Sequence, residues 1–188
     1  MRSFILAAAF LLSTPALAAN APPQLSPYAA KQLDKLIPKL AKAKSPEDAK
    51  PIEDQVLVLF NQSGSPSVDL LMVRAAAATQ AGDKDTAAKL LESITDIAPG
   101  FAEAWRVRGM MAADDDNDKE AIVYLNRAIT LNPHNFQACA QLAGILAAYG
   151  DKKQALQYYR KALAIDPYYE GLDKEVQQLS RQVEGEKI

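Results

Sequence analysis

From residue 68 onward the apolar and small positions recur with two periods at once. Locally they fall three and four residues apart, the spacing of one face of an α-helix. Over a longer range they return every 34 residues: Pro99, Pro133 and Pro167 close the phrases ITDIAP, AITLNP and ALAIDP. Twelve residues before each proline stands Ala87, Ala121 or Ala155, followed by Leu91, Leu125 and Tyr159, then Ile94, Ala128 and Ala162. Twelve residues earlier again come small residues, Ala75, Gly109 and Ala143, preceded by Leu71, Trp105 and Cys139. This pattern predicts two antiparallel helices per period. Small residues let the two axes approach, large ones fill the space between, and the proline ends the second helix. One such pair cannot bury its apolar face, so the pairs must stack and their ends must be covered.

The flanks carry weaker versions of the same signal. Leu33, Leu36, Ile37 and Leu40 predict a helix kinked by Pro38, and Ser45-Pro46-Glu47-Asp48 opens a second one. Ile52, Val56, Leu57, Leu59 and Phe60 form its apolar stripe, which ends at QSGSPS; Pro51 speaks against this helix start. Residues 28–67 therefore read as a degenerate helix pair that caps the stack. Beyond the last period, Leu172, Val176, Leu179 and Val183 predict a capping helix within 170–188, with Lys174, Glu175 and Arg181 in water.

A unit with W-x-x-x-G, then A-x-x-x-[LFY]-x-x-A and a late proline resembles the tetratricopeptide repeat. The fullest copy is AEAWRVRGMMAADDDNDKEAIVYLNRAITLNPHN, and the resemblance spans Val68 to Tyr169 as units 68–101, 102–135 and 136–169. Trp105, Gly109, Ala121, Ala155, Pro99, Pro133 and Pro167 carry its structural positions. The chain departs from the family at Arg74 and Arg108, where leucine is usual, and at Ala78, Ala112 and Leu146, where tyrosine is. The resemblance implies an all-α, antiparallel helix-pair solenoid: three units, the N-terminal pair and the C-terminal capping helix. It further implies a concave groove, lined by the first helix of each unit, that binds a peptide or a partner's helix. The groove residues it indicates are Met72, Arg74, Ala76, Arg106, Arg108, Met110, Gln137 and Gln141. Family members that clamp a C-terminal carboxylate use lysine, asparagine and arginine, where this chain has Met72, Ala76, Val107, Gln137 and Gln141. The clamp is absent, and what remains suits an apolar or helical segment. Two readings stay open for Arg74 and Arg108: stems packed on the helices, or a pair that meets a partner carboxylate.

Composition narrows the chemistry. Forty-nine per cent of the residues are hydrophobic, 23% are charged and the net charge is −2, which gives no reason to expect nucleic acid as a partner. One cysteine and one histidine cannot build an internal disulfide or a multi-histidine metal site. No nucleophile motif or phosphate-binding loop is present, so no cofactor and no small-molecule substrate is expected. The start of the chain, MRSFILAAAFLLSTPALAAN, has a basic residue, an apolar run and Ala16-Leu17-Ala18, and reads as a secretory signal over 1–18. A Pro- and Ala-rich linker over 19–27 follows, and the mature chain is expected to be periplasmic without a membrane segment.

Four aspartates and an asparagine at 114–118 are the most pointed candidate for a cation site. In register, however, QAGDKDTA, AADDDNDKEA and AYGDKKQA are three versions of one helix–helix turn. Asp83, Asn117 and Asp151 are its N-caps, with Asp116 in place of Gly82 and Gly150. Asn117 with Glu120 has capping-box spacing. His134 is expected in an exposed loop, and Cys139 as a buried inert thiol. The sequence thus predicts a non-catalytic, periplasmic protein-binding adaptor that supports cell-envelope integrity. The alternative is a chaperone-like subunit of a maturation machine such as cytochrome c assembly.

Overall fold

The computed structural model describes residues 25–169 and 171–185, which hold nine α-helices and no strand. The expected signal over 1–18 and most of the linker lie outside the described residues. The helices are α1 (Pro27–Leu40), α2 (Pro46–Phe60), α3 (Pro66–Gln80), α4 (Lys84–Ile97), α5 (Ala102–Asp114), α6 (Asp118–Leu131), α7 (Phe136–Ala148), α8 (Lys152–Ile165) and α9 (Leu172–Glu184).

Each of the first three opens on a proline, which needs no amide bond at the first helical position. The Ser26 and Ser45 hydroxyls accept from the N–H groups of Ala29 and Asp48, at 3.0 and 3.2 Å. Helix α1 runs through Pro38 to its end at Leu40, and α2 runs through Pro51. The connection to α3 is held differently: Asp69 reaches back to accept from the Ser63 N–H at 2.9 Å and its hydroxyl at 2.6 Å.

The second helices α4, α6 and α8 keep the 34-residue register through both ends. Asp83 and Asp151 accept from the N–H groups of Thr86 and Gln154 at 3.0 and 3.1 Å. Hydrogen bonding from the Thr86 side chain and N–H holds the Asp83 carboxyl below its ordinary range. At the far ends Ala98, Asn132 and Asp166 leave the helix with φ of −132°, −134° and −129°. Each precedes one of the periodic prolines, which crowd the preceding residue out of the α region.

The acidic turn is now explained. Asp116 has φ 57°, while Gly82 and Gly150 at the same place have 76° and 87°. Aspartate is among the few residues that tolerate this left-handed conformation. Its neighbour Asp115 forms an ion pair with Lys84, the first residue of α4, and so links unit 1 to unit 2. The expected capping box at Asn117 does not form. The Asn117 side chain donates to the Glu120 carboxylate at 2.7 Å, because that carboxylate is also held by the Tyr124 hydroxyl at 2.5 Å.

Helices pack in sequence from α3 to α9, each against the next. Helix α9 covers the last unit with Leu172 and Leu179 buried and Val176 and Val183 partly so, as its stripe predicts. The N-terminal pair is helical as expected, but it does not extend the stack. Helix α1 contacts α8, and α2 has no extended contact with α3. Leu33, Ile37, Leu40, Val56, Leu59 and Phe60 instead join one core with residues of α6 to α9, while unit 1 keeps a separate cluster around Leu91, Ile94 and Phe101. The reason lies in the length of the α2 stripe, which is wide enough to face α1 and the solenoid together.

Candidate functional site

The first helices α3, α5 and α7 present their starts to one side of the solenoid, and α2 crosses that side. Between α2, α3, α5 and the start of α7 lies a cleft of about 540 Å³. Met72, Val73 and Ala76 of α3, Arg106 and Val107 of α5, and Gln137 of α7 form one wall. Leu57, Val58, Asn61 and Gln62 form the other. Of the residues indicated by the sequence, Met72, Ala76, Arg106 and Gln137 are brought together here.

Arg106 and Glu103 compensate each other in this cleft, and Asp69, held by Ser63, adds one negative charge. The Arg106 guanidinium donates to both Glu103 carboxylate oxygens, from Nε at 2.9 and 3.0 Å and from an NH2 group at 2.6 Å. Glu103, 3% exposed, also accepts from the Asn135 amide at 3.3 Å. A buried pair of this kind fixes geometry more than it adds stability, because both charges have lost their water. The lining holds no lysine. An apolar, uncharged segment therefore fits the cleft better than a carboxylate.

The remaining indicated residues lie elsewhere. Arg108 is not a groove residue. Its guanidinium is 4.4 Å from the Tyr124 ring and 5.4 Å from that of Trp105, and donates to Thr95 at 2.6 Å and to the Tyr124 hydroxyl at 2.8 Å. It fills the seam between α4 and α6, a cation over aromatic faces. Arg74 holds the same register but is exposed and outside the cleft lining, since no helix stacks before α3 to receive it. Met110 and Gln141 are half-buried and also lie outside the cleft lining. Sequence reading missed Glu103 and the whole α2 wall. The signal for α2 was present: Lys50, Glu53, Leu57 and Phe60 form a second stripe beside Ile52, Val56 and Leu59.

The structural repeat positions behave as their pattern requires. Gly109, Ala121 and Ala155 are buried, and the Trp105 indole donates to the Pro99 carbonyl at 3.0 Å. His134 is exposed in its loop. Burial pushes the Cys139 thiol up to about 11, leaving little nucleophilic thiolate at neutral pH. Iodoacetamide at pH 8 should label the folded chain very slowly and the urea-unfolded chain at once, as read by mass spectrometry. Rapid labelling of the folded chain would contradict this burial.

Asp166, 1% exposed, sits where α8 gives way to α9. One carboxylate oxygen accepts from the Tyr168 N–H at 3.1 Å, and Oδ2 has no partner. Burial raises its pKa, so the folded state favours the neutral acid. Stability is then fully present below the ordinary carboxylate range and is lost as the pH rises through the folded value. Asn132 occupies the equivalent site in unit 2 and makes the same turn bond to His134 at 3.1 Å. Asp166→Asn is expected to raise stability by about 1 kcal/mol at pH 7 and by nothing in the acid limb. Urea unfolding at pH 3 and pH 7 measures both.

Helix pairs stacked on small residues and closed by an end helix define an α-solenoid. Residues 112–180 match the tetratricopeptide repeat family, so this part of the chain is built of tetratricopeptide repeats. A TPR repeat-containing protein of Rhizobium etli is 25% identical over 195 residues, covering 100% of this chain and 96% of that one. The first TPR of Spaghetti (RPAP3), bound to the HSP90 peptide SRMEEVD, has a TM-score of 0.58 at 17% identity, covering 62% of this chain and 93% of that one. The TPR2B domain of yeast Sti1 in its pHsp70 complex has a TM-score of 0.56 at 21% identity, covering 63% and 99%. At these identities the likeness to the two solved structures is one of fold. Among the described residues no helix is long and apolar enough to cross a membrane.

Proposed function

We propose that this chain is a non-catalytic adaptor whose cleft holds a largely apolar segment of a partner protein. The observation that carries this reading is the lining on the solenoid side: Met72, Val73, Ala76 and Val107 around an Arg106 already neutralised by Glu103. Related folds hold HSP90 and Hsp70 peptides on a comparable framework, and a lining without lysine, whose one arginine is paired with Glu103, points this chain to a different ligand chemistry. The secretory pattern of residues 1–18 supports a periplasmic site of action, and support of cell-envelope integrity is the role we assign there. Crosslinking pull-down from a periplasmic fraction tests the adaptor role. The intact chain should retain specific proteins that Met72→Glu and Ala76→Glu each release. A deletion strain should become detergent-sensitive. Capture unaltered by both substitutions would remove the cleft from the function, and full detergent resistance would remove the envelope role.

A further inference from the structure

Helix α2 carries two working faces. Leu59 sits beside Tyr28, Gln32 and Leu36 of α1. The other face, Lys50, Glu53, Leu57 and Phe60, recurs at helical spacing and meets the solenoid. Lys50 and Glu53 act on the Asp166 carboxyl, and Glu53 also on Tyr169. Leu57 shares the cleft with Arg106 and Gln137, and the Phe60 ring lies 6.0 Å from that of Phe136. In chain order this face passes the α8–α9 connection at Glu53, then the starts of α5 and α7 at Leu57 and Phe60. The helix therefore runs from the end of unit 3 back towards the starts of units 2 and 3. Stacking does not demand this path, and it leaves Leu70 and Val73 of α3 exposed at 52 and 66%.

We propose that α2 is a tethered occupant of the groove, held where a partner's amphipathic helix of the same pattern would lie, and displaced by it. This rests on the reading of the concave side as a binding surface, and it adds the chemistry of the ligand and the means of its control. The ligand is a helix with a leucine and an aromatic residue one turn apart, preceded by charge on the same face. Three features mark the contact as an exchangeable one. The face that docks carries the charge of Glu53 ahead of Leu57 and Phe60, while Lys50 stays 63% exposed and pairs with Glu53 and Asp54 of its own helix. The extended helix contact of α2 is with α1, and it makes none with a helix of the solenoid. The joint to α3 is a short connection with Gly64 at φ 76°.

A fluorescent peptide of residues 46–62 tests the proposal by anisotropy against the intact chain, Phe60→Ala and Leu57→Ala. The wild type should bind the peptide weakly, since its own α2 competes. Each substitution weakens the tethered helix and should tighten peptide binding at least about tenfold, because apparent affinity scales with the fraction of open groove. Helical circular dichroism and Trp105 fluorescence, from unit 2, report whether the solenoid stays folded. Equal affinity for wild type and variants would overturn the proposal. So would unfolding of the solenoid in both variants, which would make α2 an inseparable part of the core. Pull-down without any partner, alongside this tightening, would remove the adaptor reading and leave the displaceable helix standing. Partner capture without the tightening would do the reverse.

Discussion

Phe136→Ala is expected to lower the free energy of unfolding by about 3–5 kcal/mol, the range for a fully buried phenylalanine. Phe136 is 0% exposed and opens α7 directly after the buried N-cap Asn135. Its ring meets Tyr169 edge-on at 5.1 Å and Phe60 at a tilt at 6.0 Å. Three parts of the chain thus converge on one ring: the N-terminal pair, unit 3 and the connection to α9. Truncation leaves a cavity that the N-cap prevents from collapsing, since Asn135 is fixed by the Ala138 N–H at 2.9 Å and by Glu103 at 3.3 Å. Urea unfolding followed by circular dichroism measures the loss. The denaturant slope should fall as well, because a loosened α2 already exposes surface before unfolding. A loss below about 1 kcal/mol would show that the ring is not central to this junction.

Gly109→Ala should cost about 1–3 kcal/mol, although a single methyl group is added. A Cβ there would stand 2.7 Å from Leu125 Cγ and 3.3 Å from the Ala121 carbonyl oxygen. Leu125 is 0% exposed and cannot swing away, so α5 and α6 must separate. Ala75 and Ala143 hold this register in the other units, so the demand for glycine comes from how closely Leu125 approaches in unit 2. Leu125→Ala alone should cost about 2–5 kcal/mol. In the double variant the two losses should fall short of their sum by about 1 kcal/mol, because each relieves the other. Additive losses in the same urea assay would place the clash elsewhere.

The residues that made the fold legible act locally and repeat. Asp83 and Asp151 cap the helix that follows them, and Pro99, Pro133 and Pro167 set the backbone of the residue before them. Gly82 and Gly150 mark the turn, and Asp116 fits the same turn without glycine. Each effect reaches only a few residues, so the sequence around it suffices. The site was legible in part, for the same reason. Met72, Ala76, Arg106 and Gln137 follow from register, since every first helix faces the groove at the same phase. Arg74 and Arg108 show where register ends. They are equivalent in sequence, yet α4 stacks before α5 to bury Arg108, and no helix stacks before α3 to receive Arg74. Glu103 shares the register of Gln137, 34 residues on, and was open to the same rule. The α2 wall depends on contacts between distant segments, which no local period encodes.

The Phe60–Phe136 contact also has a temporal side. Helix α2 leaves the ribosome before the solenoid does, yet the ring it docks against belongs to the third unit, and units 1 and 2 lie between them in the chain. Its apolar face must therefore stay uncovered until most of the solenoid has been made, and closing so long a loop is slow. Unit 1, whose core cluster is separate, can settle in the meantime. A helix made before the solenoid is, by this geometry, among the last to find its place.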